Sequence, residues 1–325
     1  MSHRFVAIAL LALLPLIAPA RAQDFPNRPM TMVVPFAAGG AVDVLGRTLA
    51  ARAAEILGQQ IVIENVGGAG GMTGANRVAK AAPDGYQFVL GSVGTHAQNQ
   101  WLYKQPAYNA AKDFEPVILV GSTPLMLIIR KDFPADNLQE FIAHAKARPG
   151  ELKYGSAGVG SAIHMGCVLF NAAAGINAIH IPYRGGAPAM QDIIAGRIDY
   201  GCNIITSAYP QVRDQVVKAP ALLGAKRAPL LPDLATAQEQ GMAGFDGGSW
   251  NVIFLPKGTP ESIVRRLNAA MSEAMDSPET AKRLLAIGVD IPPKDHRTPG
   301  YAAGFVEQEI KKYEAPIKAS GIVIE

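Results

Sequence analysis

Cysteine is nearly absent from this 325-residue sequence, which contains two, Cys167 and Cys202. Two cysteines exclude a disulfide-dense scaffold and a cysteine-rich zinc module. Excess charge of one sign is absent too, since 30 basic residues face 27 acidic ones and the net charge is +3. A dedicated nucleic-acid-binding protein concentrates basic residues on one face. The balance therefore argues against nucleic acid as a partner.

Several motifs of enzyme chemistry are also missing. No glycine loop carries the lysine of a phosphate-binding loop, which disfavours a nucleoside triphosphate as ligand. No serine occupies a G-x-S-x-G elbow, and Gly247–Asn251 fails at its last position. No histidine pair has H-E-x-x-H or another metal-ligand spacing. We therefore expect no metal, no cofactor and no catalysis.

Long apolar runs are confined to the N-terminus. Arg4 precedes the apolar run Phe5–Ile17, and an A-x-A end at Ala22 precedes Gln23. This order is typical of a secretory signal peptide, and the run is shorter than the ~20 residues of a membrane span. We predict cleavage after Ala22 and, in a Gram-negative cell, delivery to the periplasm. An uncleaved membrane anchor is the alternative.

An exported setting permits a disulfide between Cys167 and Cys202. Two buried, unbridged cysteines are the favoured interpretation, because a free cysteine packs like a small apolar side chain. The sequence leaves the pairing open.

Strand and helix patterns alternate along the mature chain, which predicts an α/β fold with helices on both faces of its sheets. Pro116–Val120 and Leu125–Arg130 are predicted as separate strands, and a helix over Tyr301–Gly321 is expected to break at Pro316. Hydrophobic residues make up 49% of the chain, enough for a substantial core.

A strand, a glycine-rich loop and a helix occur near Pro35–Asp43 and again near Tyr154–His164. Two such units predict two similar lobes whose loops face one cleft, because ligands of open α/β sheets bind beyond the carboxyl ends of the strands. Free N–H groups at each helix start would bind an anion. Ordinary tight connections, with Ser161 as a helix N-cap only, are the alternative.

Three further features have competing interpretations. The loop Gly67–Gly74 imitates a dinucleotide-binding loop, but its spacing is G-x-G-x-x-x-G and export disfavours a nicotinamide cofactor. His96 follows a strand in the polar run Gly94–Asn99, a plausible cleft position. His164 begins the helix after the second loop. Either histidine could instead be a solvated or capping residue.

Six blocks of the sequence together resemble the Bug family, the periplasmic solute-binding proteins of tripartite tricarboxylate transporters. The resemblance spans nearly the whole mature chain, in order. The blocks are PFAAGGAVDVLGRTLA (Pro35–Ala50), ENVGGAGGMTGANRVAKAAPDGY (Glu64–Tyr86), YGSAGVGSAIHM (Tyr154–Met165), HIPYRGGAPAMQDIIAGRID (His180–Asp199), AKRAPLLPDLATAQEQG (Ala225–Gly241) and SWNVIFLPKGTP (Ser249–Pro260).

The resemblance implies an α/β, two-lobed Venus-flytrap fold of the type II periplasmic-binding-protein kind, with two mixed sheets flanked by helices. Residues 1–22 would be the signal peptide. Residues 23–124 plus 249–325 would form domain 1, and residues 125–248 would form domain 2. The chain would cross between the lobes near Thr123–Leu125 and Gly248–Trp250.

The resemblance also implies a small carboxylate ligand, held by backbone N–H groups and waters between the two glycine loops. The implied partners are membrane permease subunits or a sensor protein, with the receptor itself a monomer. The candidate ligand-binding residues are Phe36, Ala37, Ala38, Gly39, Gly40, Asp43, His96, Ser156, Ala157, Gly158, Gly160, Ser161, His164, Tyr183, Arg184 and Asn203.

Asn203 departs from the family pattern, since many relatives carry aspartate there. A neutral amide cannot pair as a charge with a ligand ammonium. We therefore expect a ligand without an amino group, such as a dicarboxylate or an aromatic carboxylate. Thr206 also departs, where proline is common, so the local geometry is left open.

A solute-binding receptor is the leading interpretation. A signalling partner without a transport role and a periplasmic hydrolase are alternatives, and a cytoplasmic dinucleotide enzyme is disfavoured by the predicted leader.

Overall fold

A computed structural model describes residues 25–320, 322 and 323, and the predicted leader lies outside the described residues. The strands are β1 (Met30–Val34), β2 (Ile61–Asn65), β3 (Gln87–Ser92), β4 (Phe114–Arg130), β5 (Lys153–Ser156), β6 (Ile179–Pro182), β7 (Tyr200–Ile204), β8 (Val217–Leu222) and β9 (Gly248–Pro256). The helices are α1 (Ala41–Leu57), α2 (Met72–Ala79), α3 (Asn99–Leu102), α4 (Leu138–Lys146), α5 (Ala162–Ala174), α6 (Gly186–Ile194), α7 (Ile205–Arg213), α8 (Glu261–Asp276), α9 (Pro278–Ala286) and α10 (Pro299–Ser320). None of the helices in this part of the chain is long and apolar enough to cross a bilayer.

The strands form one mixed sheet in the order β2-β1-β3-β9-β4-β7-β5-β6, with β8 also paired to β4. The pairs β1–β2, β1–β3, β5–β6 and β5–β7 are parallel, whereas β4 and β9 run antiparallel to their neighbours. The predicted α/β class with helices around a mixed sheet is confirmed. The implied separation into two sheets is not confirmed, because β4 pairs with strands of both groups.

Strand β4 is where the sheet changes partners. Residues Phe114–Pro124 pair with β9, and residues Leu125–Arg130 pair with β7 and β8. The prediction of two separate strands here was wrong. Ser122, Thr123 and Pro124 remain paired with β9, so the strand continues without a break from Phe114 to Arg130. One continuous strand therefore connects the two strand groups.

Strand β1 is apolar on both faces because helices cover both. Met32 belongs to a core cluster with Leu45 and Leu49 of α1, and Val33 to a second cluster with Ala75 of α2. The sequence of such a strand is a continuous run of apolar residues, without the alternation of apolar and polar residues seen in a half-buried strand. Its carboxyl end therefore emerges from the core at the first glycine loop.

Helix α10 continues through Pro316, so the predicted break was wrong. A proline inside a helix removes one hydrogen bond but need not end the helix. Tyr313 and Ile317, on either side of Pro316, are both buried against the core. Packing on both sides therefore holds the helix together.

A disulfide joins Cys167 of α5 to Cys202 of β7, with their Cα atoms 5.3 Å apart. This corrects the favoured interpretation of two unbridged cysteines. Both residues are fully buried, as that interpretation expected. The bridge attaches α5 covalently to the sheet, close behind the start of the helix.

Replacing both cysteines, as Cys167→Ala with Cys202→Ala, should lower the free energy of unfolding by about 4 kcal/mol. The bridge closes a loop with a sequence separation of 35, and the loss follows from the chain entropy that the unfolded state regains. Urea unfolding of both proteins, each with and without reductant, measures it. Equal stability of the double variant and the oxidised wild type would contradict the pairing.

Candidate functional site

Four helices begin around one small cavity. Helices α1, α5 and α7 follow the N-caps Gly40, Ser161 and Ile204, and α6 begins at Gly186. The cavity has a volume of about 20 Å³, room for about one water. Its lining residues are Phe36, Gly40, Ala41, Val42, Ser92, Ala157, Ser161, Ala162, Ile163, Gly186 and Ile204.

The electrostatics of the cavity come from the main chain. The first N–H groups of a helix have no intrahelical acceptor, and no described residue accepts from those of Ala41, Val42, Ala162 or Ile163. Helix dipoles add partial positive charge at the same place. No charged side chain lines the cavity. The arrangement favours an anion without using lysine or arginine.

The first glycine loop is held by Asp43 from the first turn of α1. Gly39 has φ +76°, and its N–H donates to the Asp43 carboxylate at 2.9 Å. Arg47 donates to both oxygens of that carboxylate, at 3.1 and 3.0 Å. Burial acts to raise the pKa of the Asp43 carboxyl, but these hydrogen bonds and the Arg47 charge hold it below its usual range. Asp43 therefore shapes the loop and does not line the cavity.

Asn65, at the end of β2, completes this network. Its Nδ2 donates to the Phe36 carbonyl at 3.0 Å and to Asp43 at 2.9 Å. The sequence analysis did not select Asn65, although it stands in the ENVGGAGG block. Its position at a strand end beside the first loop was the available signal.

The second loop is held by two histidines. The Gly160 N–H donates to His164 Nδ1 at 3.2 Å, and the Gly158 N–H donates to Ser156 Oγ at 3.1 Å. Ser156 Oγ also lies 2.6 Å from Nε2 of His180, a residue that the sequence analysis missed. The N–H groups of these glycines are thus used within the loop. The groups that remain for a ligand belong to the first turn of α5.

Both histidines are neutral. Burial, with a smaller contribution from His180, lowers the pKa of His164 to about 3, and burial lowers the pKa of His180 to about 4. Their rings lie 4.1 Å apart between centroids. A neutral His164 is also what the Gly160 hydrogen bond requires, because Nδ1 accepts it. Ser161 caps α5 by accepting from the His164 N–H at 3.2 Å.

His96 lies in the core rather than at the cavity. Residues Gly94–Gln98 form a turn of π-helix, and the His96 ring stacks on Phe254 with centroids 3.8 Å apart. The ring is fully buried, which lowers the pKa of His96 to about 3. Its Nδ1 lies 2.8 Å from Thr95 Oγ1. The geometry gives no support to the predicted binding role of this side chain.

The remaining candidates lie around the cavity without lining it. Tyr183 donates to Asp192 at 2.5 Å, and the carbonyl of the exposed Arg184 accepts from the Ala37 N–H at 3.2 Å. Asn203 is 1% exposed, and neither atom of its amide has a partner among the described residues. Ala38 is exposed.

Of the sixteen predicted residues, four line the cavity: Phe36, Gly40, Ala157 and Ser161. Several further lining residues stand in helix first turns directly after the predicted loops and were not predicted. The missed lining residues are Ala41, Val42, Ser92, Ala162, Ile163, Gly186 and Ile204.

The loop Gly67–Gly74 packs against the second glycine loop. A Cβ added to Gly70, which has φ +61°, would lie 2.1 Å from the Val159 carbonyl oxygen. Likewise, a Cβ on Gly67 would lie 2.7 Å from the Arg184 carbonyl oxygen. Glycine at positions 67 and 70 therefore allows this loop to lie directly against the main chain of Val159 and Arg184. Within the described part of the chain, no group of three or more histidine, cysteine or acidic residues is placed to hold a metal ion.

A profile described as the tripartite tricarboxylate transporter family receptor matches residues 45–322. Protein BugT of Bordetella pertussis is 33% identical over 318 residues, which cover 98% of this chain and 95% of BugT.

Two solved structures resemble the fold closely. MatC from Rhodopseudomonas palustris with bound malate is 41% identical with a TM-score of 0.88, over 90% of this chain and all of that one. A second R. palustris protein, solved with adipate, is 35% identical with a TM-score of 0.88, over 92% and 99% of the two chains.

Asp43→Ala should lower the free energy of unfolding by about 2 kcal/mol, because the Gly39 N–H and the Asn65 amide lose a buried acceptor. Glu279→Ala is the control. It removes an exposed i,i+4 partner of Arg283 and should cost less than about 0.5 kcal/mol. Urea unfolding at pH 7 measures both. Equal losses would show that the Asp43 network contributes no more than a surface ion pair.

The free energy of unfolding should fall as the pH is lowered from about 6.5 toward 4. In that range the unfolded chain protonates histidines that remain neutral when folded. His180→Gln should show a smaller fall, because glutamine does not titrate. Urea midpoints at four pH values measure this. The same fall in His180→Gln and the wild type would contradict the assignment.

Proposed function

Because this chain belongs to the tripartite tricarboxylate transporter receptor family, we propose that it binds a small carboxylate in the periplasm and delivers it to the transporter's membrane permease. The protein acts as a solute-binding receptor, as its family and its solved neighbours do. It binds its ligand without catalysis and without a cofactor.

The observation that carries this proposal is the set of four helix starts around the cavity. The starts of α1 and α5 present free N–H groups to it, and Ser92 and Ser161 add hydroxyls. These groups can donate to carboxylate oxygens, and the low-dielectric interior strengthens each such bond. A carboxylate held there would be bound by the main chain. The two neighbours were solved with carboxylates, malate and adipate.

The ligand has no amino group. No carboxylate lines the cavity, and the Asp43 oxygens already accept from Arg47, Asn65 and Gly39. An ammonium buried there would lack a charged partner, which is strongly unfavourable. Apolar side chains, among them Phe36 and Ile163, face the cavity. They suit the carbon body of a dicarboxylate or an aromatic carboxylate.

The two halves of the receptor separate to admit the ligand, since the cavity has room for about one water. We assign residues 23–124 plus 249–325 to one lobe and residues 125–248 to the other. The hinge lies at Thr123–Leu125 and Gly248–Trp250, where β4 changes partners beside β9. Closure around a carboxylate is then driven by contacts that the open form lacks.

The test is a thermal-shift and calorimetric series on the refolded, ligand-stripped protein. Succinate and aspartate form the matched pair, since they differ only by an amino group, and malate, adipate and benzoate extend the panel. A carboxylate at 100 times its Kd should add about 2.7 kcal/mol of stability. We expect succinate to bind and aspartate to bind at least tenfold more weakly.

The outcomes separate the parts of the proposal. Aspartate binding as tightly as succinate would contradict the ligand class but not the receptor. Protein that binds none of the carboxylates would contradict the receptor function itself.

A further inference from the structure

The start of α7 meets the end of α9 in one hydrogen bond. Thr206 Oγ1 donates to the carbonyl oxygen of Ile287, the C-cap of α9, at 2.8 Å. Thr206 is 6% exposed. The positive end of one helix dipole therefore faces the negative end of the other across a buried contact.

Gly288 makes the approach of these two helices close. Its φ is +79°, a conformation that favours glycine. A Cβ added there would lie 2.6 Å from Ile205 Cγ2 and 3.3 Å from Leu230 Cδ1. Glycine is thus required both by the backbone and by the side chains that press against it.

This contact joins the two proposed lobes beside the cavity. Ile204, which lines the cavity, is the N-cap of α7 and precedes the contact residue Ile205. Ile287 and Gly288 belong to the segment after β9, on the other side of the proposed hinge. An opening motion that separates α7 from α9 moves Thr206 away from Ile287.

We propose that Thr206 and Gly288 form a latch that stabilises the closed, carboxylate-bound receptor, an inference that rests on the proposed function. A contact made only when the halves are together raises the closed fraction, and the apparent affinity rises with it. The latch touches no ligand atom. Its loss should therefore accelerate dissociation of the carboxylate and leave association nearly unchanged.

Thr206→Val tests the hydrogen bond, because it removes the hydroxyl and keeps the side-chain shape. Thr259→Val is the matched control: Thr259 is also 6% exposed and donates to the Pro256 carbonyl at 2.7 Å, within one lobe at the far end of β9. With succinate, malate, adipate and benzoate as probes, Thr206→Val should weaken binding about fivefold, mainly through faster dissociation. Thr259→Val should keep the wild-type rates.

Gly288→Ala tests the close approach. Gly258→Ala is its control, since Gly258 has φ +84° with nothing within 4 Å of an added Cβ. Both variants place alanine at a similar positive φ, but only in Gly288→Ala does the added Cβ meet neighbouring side chains. We expect it to weaken probe binding at least tenfold and, in small-angle scattering with saturating probe, to keep a larger radius of gyration than Gly258→Ala.

The two proposals fail in different ways. If the wild type binds none of the probes, the receptor function is wrong and the latch with it. If the wild type binds but Thr206→Val and Thr259→Val have equal Kd and dissociation rates, the latch alone is overturned. Equal affinities of Gly288→Ala and Gly258→Ala would overturn it as well.

Discussion

Unpaired main-chain N–H groups at the starts of α1 and α5 are the feature on which the rest of the site depends. Their positive character is fixed by backbone geometry and cannot be adjusted by a moving side chain. The helix starts must therefore be held accurately. Asp43 and Asn65 hold the first loop, His164 and His180 hold the second, and the Cys167–Cys202 bridge attaches α5 to the sheet behind it.

The polar side chains near the cavity consequently support the main chain. Asp43 is the clearest case, since its carboxylate belongs to the first turn of α1 beside the cavity yet accepts from Gly39, Arg47 and Asn65. Turned toward the cavity, it would repel a carboxylate. The lining of the cavity contains no acidic side chain, and this feature underlies the proposal of a ligand without an ammonium group.

Glycine allows the chain segments around the cavity to touch through their backbones. Gly70 meets the Val159 carbonyl on one side, and Gly288 meets Ile205 on another. At both positions the backbone also has positive φ, so a side chain would be strained as well as obstructed. Contacts of this kind make the packing of these segments sensitive to a single added methyl group.

Local pattern alone determined the α/β class, most helices and strands, and the two glycine loops, because apolar periodicity and turn residues act over a few positions. Phe36, Gly40, Ala157 and Ser161 were found because they stand in those loops.

Tertiary structure decided the rest. His96 has a polar neighbourhood in sequence but packs on Phe254, and His180 reaches Ser156 from the next strand. The disulfide and the continuity of β4 also depend on residues brought together by folding. Distances between residues remote in sequence are set by how sheets and helices pack, and no local pattern encodes them.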